Sequence, residues 1–67
     1  MGSYYLLIER LEGIWVSEFG SYCKKDVEKE RQYKINNGIR SDDLLIIGTS
    51  GKQDEIDSRI KSMNEEL

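Results

Sequence analysis

Residues 4–19, YYLLIERLEGIWVSEF, constrain the fold more than any other stretch, because two runs rich in aromatic and β-branched residues flank Leu11-Glu12-Gly13. Two such runs joined by a short glycine-containing segment read as a β-hairpin, the glycine supplying the positive φ of a tight turn. Side chains alternate along a strand. Alternation sends Tyr4, Leu6 and Ile8 to one side of the first strand and Tyr5, Leu7 and Leu11 to the other, and it opposes Ile14 and Val16 to Trp15 and Phe19 in the second. Both faces of the hairpin are apolar, so both require cover.

The rest of the chain supplies that cover. SYCKKDVEKERQYKINNG, residues 21–38, is rich in helix formers, with Ser21 as candidate N-cap and Gly38 placed for the left-handed position beyond a helix C-terminus. Its inward stripe would be Cys23, Val27, Arg31 and Lys34 or Ile35, interrupted by charge, so the two basic residues either lay their stems along the sheet edge or line a polar interface. SDDLLIIGTS supplies a third strand lying against the hairpin, its continuous apolar run predicting burial on both faces. In KQDEIDSRIKSMNEEL, Ile56, Ile60, Met63 and Leu67 fall on one helical stripe. The sequence thus predicts one small α+β domain over residues 1–67, in β-β-α-β-α order, with a three-stranded sheet and the helices packed on one face.

A chain of 67 residues builds a thin core, and small domains commonly add a disulfide, a metal or a partner chain. Cys23 is the only cysteine and histidine is absent, which removes an intrachain disulfide, the usual zinc ligand sets and the commonest general base. No metal, cofactor or catalytic residue is assigned. With both helices on one sheet face, the other face would stay exposed, and the economical cover is a second copy in a homodimer or higher homo-oligomer. The interface would be drawn from Tyr5, Leu7, Trp15, Phe19, Leu45 and Ile47 or their opposite-face counterparts. Each buried side chain would contribute about 1.5–3 kcal/mol before the entropy of association.

Charge and hydropathy narrow the partners. Thirteen acidic and ten basic residues are mixed along the chain for a net charge of −3, which argues against duplex DNA. No apolar run exceeds five residues, far short of the roughly 18 a membrane span needs, and the N-terminus lacks a signal-peptide pattern, so a cytoplasmic protein is expected. Met1-Gly2-Ser3 reads equally as a tag remnant and as native sequence, and carries no assigned function.

The stretch IIGTSGKQ raises the question of an anion site. A P-loop requires glycine five residues before the Gly-Lys pair and Ser or Thr after it, where this chain has Ile46 and Gln53, so nucleotide hydrolysis is unsupported. Thr49, Ser50, Gly51 and Lys52 still sit at a helix N-terminus, where free amides favour an anion, although Ser50 and Gln53 also fit a capping box that would satisfy those amides internally. Arg31 and Arg40 could pair with phosphates and Tyr33 and Trp15 could stack on a base, completing with the turn a site for a small anionic nucleotide.

The runs IWVSEFGSY, VEKERQY and DDLLIIGTSGKQDEID resemble a kind of short accessory protein carried by tailed bacteriophages and prophages. The likeness rests on Trp15, Phe19-Gly20, Tyr22, Val27-Glu28, Glu30, Tyr33, Asp43-Leu44 and Ile56-Asp57 and spans most of the chain. It implies a virus-encoded protein acting on host machinery in the bacterial cytoplasm, and it carries over no catalytic or ligand-binding residue. The expected function is anti-defence by binding. Its sharper form is a signal sponge, sequestering a cyclic-nucleotide or ADP-ribose-type immune signal. The alternatives are an inhibitor of a host defence protein, acting through its sheet face or as an acidic nucleic-acid mimic, and a structural or regulatory phage protein without a small ligand.

Overall fold

The computed structural model describes residues 3–65, so Leu67 of the expected stripe and Gly2 lie outside the described residues. Strands β1 (Tyr4–Leu11) and β2 (Ile14–Ser21) form the hairpin, and helix α1 (Lys24–Asn36) follows. A 3₁₀ turn at Ser41–Asp43 leads into β3 (Leu44–Thr49), which is followed by α2 (Gln53–Glu65). The α+β class and the β-β-α-β-α order are those the sequence predicts. β1 is central, with β2 and β3 antiparallel to it on either side.

The hairpin turn is two residues long, with Glu12 at φ 53° and Gly13 at φ 84° between the paired Leu11 and Ile14. Two successive positive φ values define the primed turn whose twist matches that of the flanking strands. Farther along, Leu7 pairs with Phe19 but Ile8 with Ser17, which leaves Glu18 as the extra residue of a β-bulge. The bulge reverses the alternation beyond it. Phe19 therefore shares the face of Leu7 and Val16, and strict alternation had set it on the opposite one.

The two sheet faces are covered by different helices. Leu6, Ile8 and Ile47 pack with Ile56 of α2, flanked by Tyr4, Trp15, Ile60 and Met63. On the other side Leu7 and Leu44 pack with Val27 of α1, flanked by Tyr5, Ile35, Ile39 and Ile46. Each helix thus packs on a sheet face, but not on the same one. The reason lies in the strands, whose apolar side chains alternate between faces and need two covers. Leu7, Ile8 and Val27 are fully buried, and each contributes about 1.5–3 kcal/mol relative to exposure.

This division removes the naked face from which a dimer was expected. Leu7 lies wholly beneath α1 and Ile47 beneath α2, and Tyr5 and Trp15 are half-buried. Phe19 and Leu45 are 37% and 40% exposed, yet they project from opposite faces. No single surface joins the six residues. Leu45 also departs from the burial expected on both faces of β3, because β3 is an edge strand and α2 runs from its end toward β2.

The helix ends follow local chemistry. Cys23, not Ser21, is the N-cap of α1, since Ser21 still belongs to β2 and its Oγ accepts from the Cys23 N–H at 3.0 Å. At the other end Ile39 N–H donates to the Lys34 carbonyl and Gly38 N–H to the Ile35 carbonyl, with Gly38 at φ 100°. That is the Schellman arrangement, which requires a residue comfortable at positive φ. Its apolar partner Ile39 joins the core beside Ile35.

Candidate interaction surface

The turn before α2 is closed by the chain itself. The Ser50 N–H donates to Glu55 Oε2 at 3.2 Å, and Ser50 Oγ accepts from the Lys52 N–H at 3.3 Å. Glu55 therefore supplies the negative charge that the helix N-terminus favours. The capping partner is Glu55 where the sequence suggested Gln53, whose amide donates instead to Asp57 one turn on at 2.8 Å. Thr49 is 7% exposed under α2, and its hydroxyl has no hydrogen-bond partner among the described residues. Gly51, at φ 84°, stands beneath the Tyr22 hydroxyl. An internal carboxylate thus takes the Ser50 amide, one of the donors foreseen for a bound anion.

The other foreseen ligand residues are dispersed. Arg40 and Trp15 lie at the hairpin-turn end of the sheet, whereas Thr49, Ser50, Gly51 and Lys52 lie at the end where β1 begins, since Tyr4 pairs with Thr49. Trp15 packs under α2 with the Arg10 guanidinium 5.3 Å over its ring, so its face is already occupied. Arg10 in turn donates to Asp43 Oδ1 from Nε at 3.1 Å and from an Nη at 3.0 Å. Arg31 is half-buried on α1, and Tyr33 on the same helix is 63% exposed. No cavity forms among the described residues to join them.

A charged cluster that sequence reasoning only half foresaw lies on the α1 face. Lys34 Nζ donates to Glu9 Oε1 at 3.2 Å and to Glu18 Oε1 at 2.9 Å. Glu9 is only 6% exposed in mid-β1, and Glu18 reaches the lysine because it is the bulge residue. The hydrogen bond to Glu18 raises the Lys34 pKa above its ordinary 10.5, burial opposes this, and Glu9 adds to the rise. The signal was present in the sequence: Glu9 breaks the apolar pattern of β1 and Lys34 that of α1, and two breaks facing each other make a pair.

Around this cluster the hairpin leaves apolar side chains in solvent. Leu11 and Ile14 pair beside the turn at 47% and 54% exposure, and Phe19 follows on the same side of β2, with Val16 half-buried between them. Exposed apolar side chains beside polar groups suit contact with another protein surface, and no cavity among the described residues offers a small ligand a concave site. Among the described residues no helix is long and apolar enough to cross a membrane. No protein-family model matches the chain, nor does any curated protein or solved structure.

Proposed function

We propose that this protein is a small phage-encoded binding protein that counters host immunity by direct contact with a defence protein in the bacterial cytoplasm, without catalysis of its own. The observation that carries this reading is the exposed apolar set Leu11, Ile14 and Phe19 on one side of the hairpin. The phage setting is supported by the sequence resemblance alone. Sequestration of a cyclic-nucleotide or ADP-ribose-type signal is the weaker form of the idea, because Arg40 and Trp15 lie at the opposite end of the sheet from the Thr49–Lys52 turn and Glu55 accepts from the Ser50 amide there.

The experiment pairs affinity capture with ligand melts. Wild-type protein in a lysate of defence-bearing bacteria should retain one stoichiometric defence protein, and Ile14→Asp/Phe19→Asp should release it while melting cooperatively. Retention unchanged in the double variant refutes this surface. A rise in melting temperature with a cyclic nucleotide, which binding to the folded state must produce, would reinstate the signal sponge.

A further inference from the structure

The two outer strands differ in how their edges are treated. On β2, the outward N–H and C=O of Trp15 are both held by the Asn64 side chain of α2, at 2.7 and 3.2 Å. Asn64 thus imitates one rung of a neighbouring strand and closes that edge, and the Glu18 bulge interrupts it further. β3, sequence LLIIGT, carries no charge, proline or bulge. Such an edge is a template for another strand.

Which groups β3 offers follows from the hairpin. A two-residue turn makes Leu11 and Ile14 a hydrogen-bonded pair, so Leu11, Glu9 and Leu7 point their backbone groups at β2, and Ile8, Leu6 and Tyr4 point theirs at β3. Leu45, Ile47 and Thr49 are then bonded inward, while Leu44, Ile46 and Gly48 face outward. Two of the outward groups are already taken. The Leu44 N–H bonds the Ser41 carbonyl, and the Gly48 carbonyl accepts from Arg59 at 3.0 Å. The Leu44 carbonyl, both groups of Ile46 and the Gly48 N–H have no partner among the described residues.

We infer that β3 pairs antiparallel with β3 of a second copy about a two-fold axis through Ile46, joining two sheets into one of six strands. In this register Ile46 faces its own copy and exchanges two hydrogen bonds with it. Each Gly48 N–H reaches the partner's Leu44 carbonyl. The two occupied groups, Leu44 N–H and Gly48 C=O, fall opposite each other, so neither loses a partner. A shift that sets Leu44 against Ile46 would instead strand the Ile46 carbonyl. Leu45, 40% exposed, packs against Ile47 of the other copy on the α2 face. Charge agrees with this orientation, since antiparallel pairing brings the exposed Asp42 end of each strand to the exposed Lys52 end of the other. The inference is independent of the Leu11, Ile14 and Phe19 surface.

Sedimentation equilibrium of the whole protein at micromolar concentration should give the mass of two chains of 7.8 kDa each, and Leu45→Lys should give one. In a Cys23→Ser background, Leu45→Cys should cross-link to its copy through a short bismaleimide, because diagonal neighbours in adjacent strands lie about 7–8 Å apart. Ile14→Cys, more exposed but on the other edge, should stay uncross-linked. A one-chain mass for the wild type, a dimer unaffected by Leu45→Lys, or equal cross-linking from both positions would overturn the inference.

Discussion

Replacing Lys34 by methionine tests how the α1 face is held together. Methionine keeps an unbranched apolar stem but removes the ammonium that bonds Glu9 and Glu18. The larger loss is at Glu9, whose side chain is 8% exposed: a buried acceptor deprived of its partner costs about 1–3 kcal/mol. Glu18, 28% exposed, is solvated after the change, and its pair is worth at most about 1 kcal/mol. Together they predict a destabilisation of about 1–4 kcal/mol. A domain this small has roughly 3–10 kcal/mol in all, so the variant should lose much of its stability.

Urea unfolding followed by the fluorescence of Trp15, the only tryptophan, provides the measurement. With a slope of about 1 kcal/mol/M for so small a chain, the midpoint should fall by about 1–4 M. Glu9→Leu/Lys34→Met should recover most of the loss, because removing both members of a buried pair is far milder than removing one. The pH dependence has a definite sign. Lys34 has its pKa raised in the folded protein, so its contribution is whole below the unfolded value of 10.5 and disappears as pH climbs through the higher folded value. The gap between wild type and Lys34→Met should therefore narrow in strong alkali. A gap below about 0.5 kcal/mol at pH 7, or a double variant no more stable than Lys34→Met, would refute the reasoning.

Gly20→Ala should cost about 1–3 kcal/mol, since the added methyl would fall 2.6 Å from Tyr4 Cζ, and Tyr4 is backed by Tyr22 in an edge-on contact at 4.8 Å. Thermal melts should show that in a Tyr4→Ala background the same change costs little; an equal cost there would place the strain elsewhere. Asn64→Ala removes two hydrogen bonds to Trp15 and should lower stability by about 1–3 kcal/mol, with faster hydrogen exchange of the Trp15 amide as its specific sign. An unchanged exchange rate at that amide would show that Asn64 does not close the β2 edge.

Local chemistry was legible in the sequence. Gly13 and Gly38 marked the hairpin turn and the helix end because each position needs a positive φ, and the spacing of Ile56, Ile60 and Met63 marked the buried stripe of α2. The α+β class and the order of elements follow from such periods, which depend only on neighbours in the chain. The alternation of β1 also announced that both sheet faces needed cover. What it could not announce was which helix would take which face, since that is set by packing between residues distant in sequence. The Glu18 bulge belongs to the same class: it exists only in the pairing with β1, and it moves Phe19 across the sheet and brings Glu18 to Lys34. The turn before α2 was legible from its glycine and serine, but the carboxylate that bonds it, Glu55, was decided by a helix turn folding back on Ser50. Arg40 and Trp15 were separated from that turn by the antiparallel course of the strands, which carries residues with similar chemistry to opposite ends of one sheet.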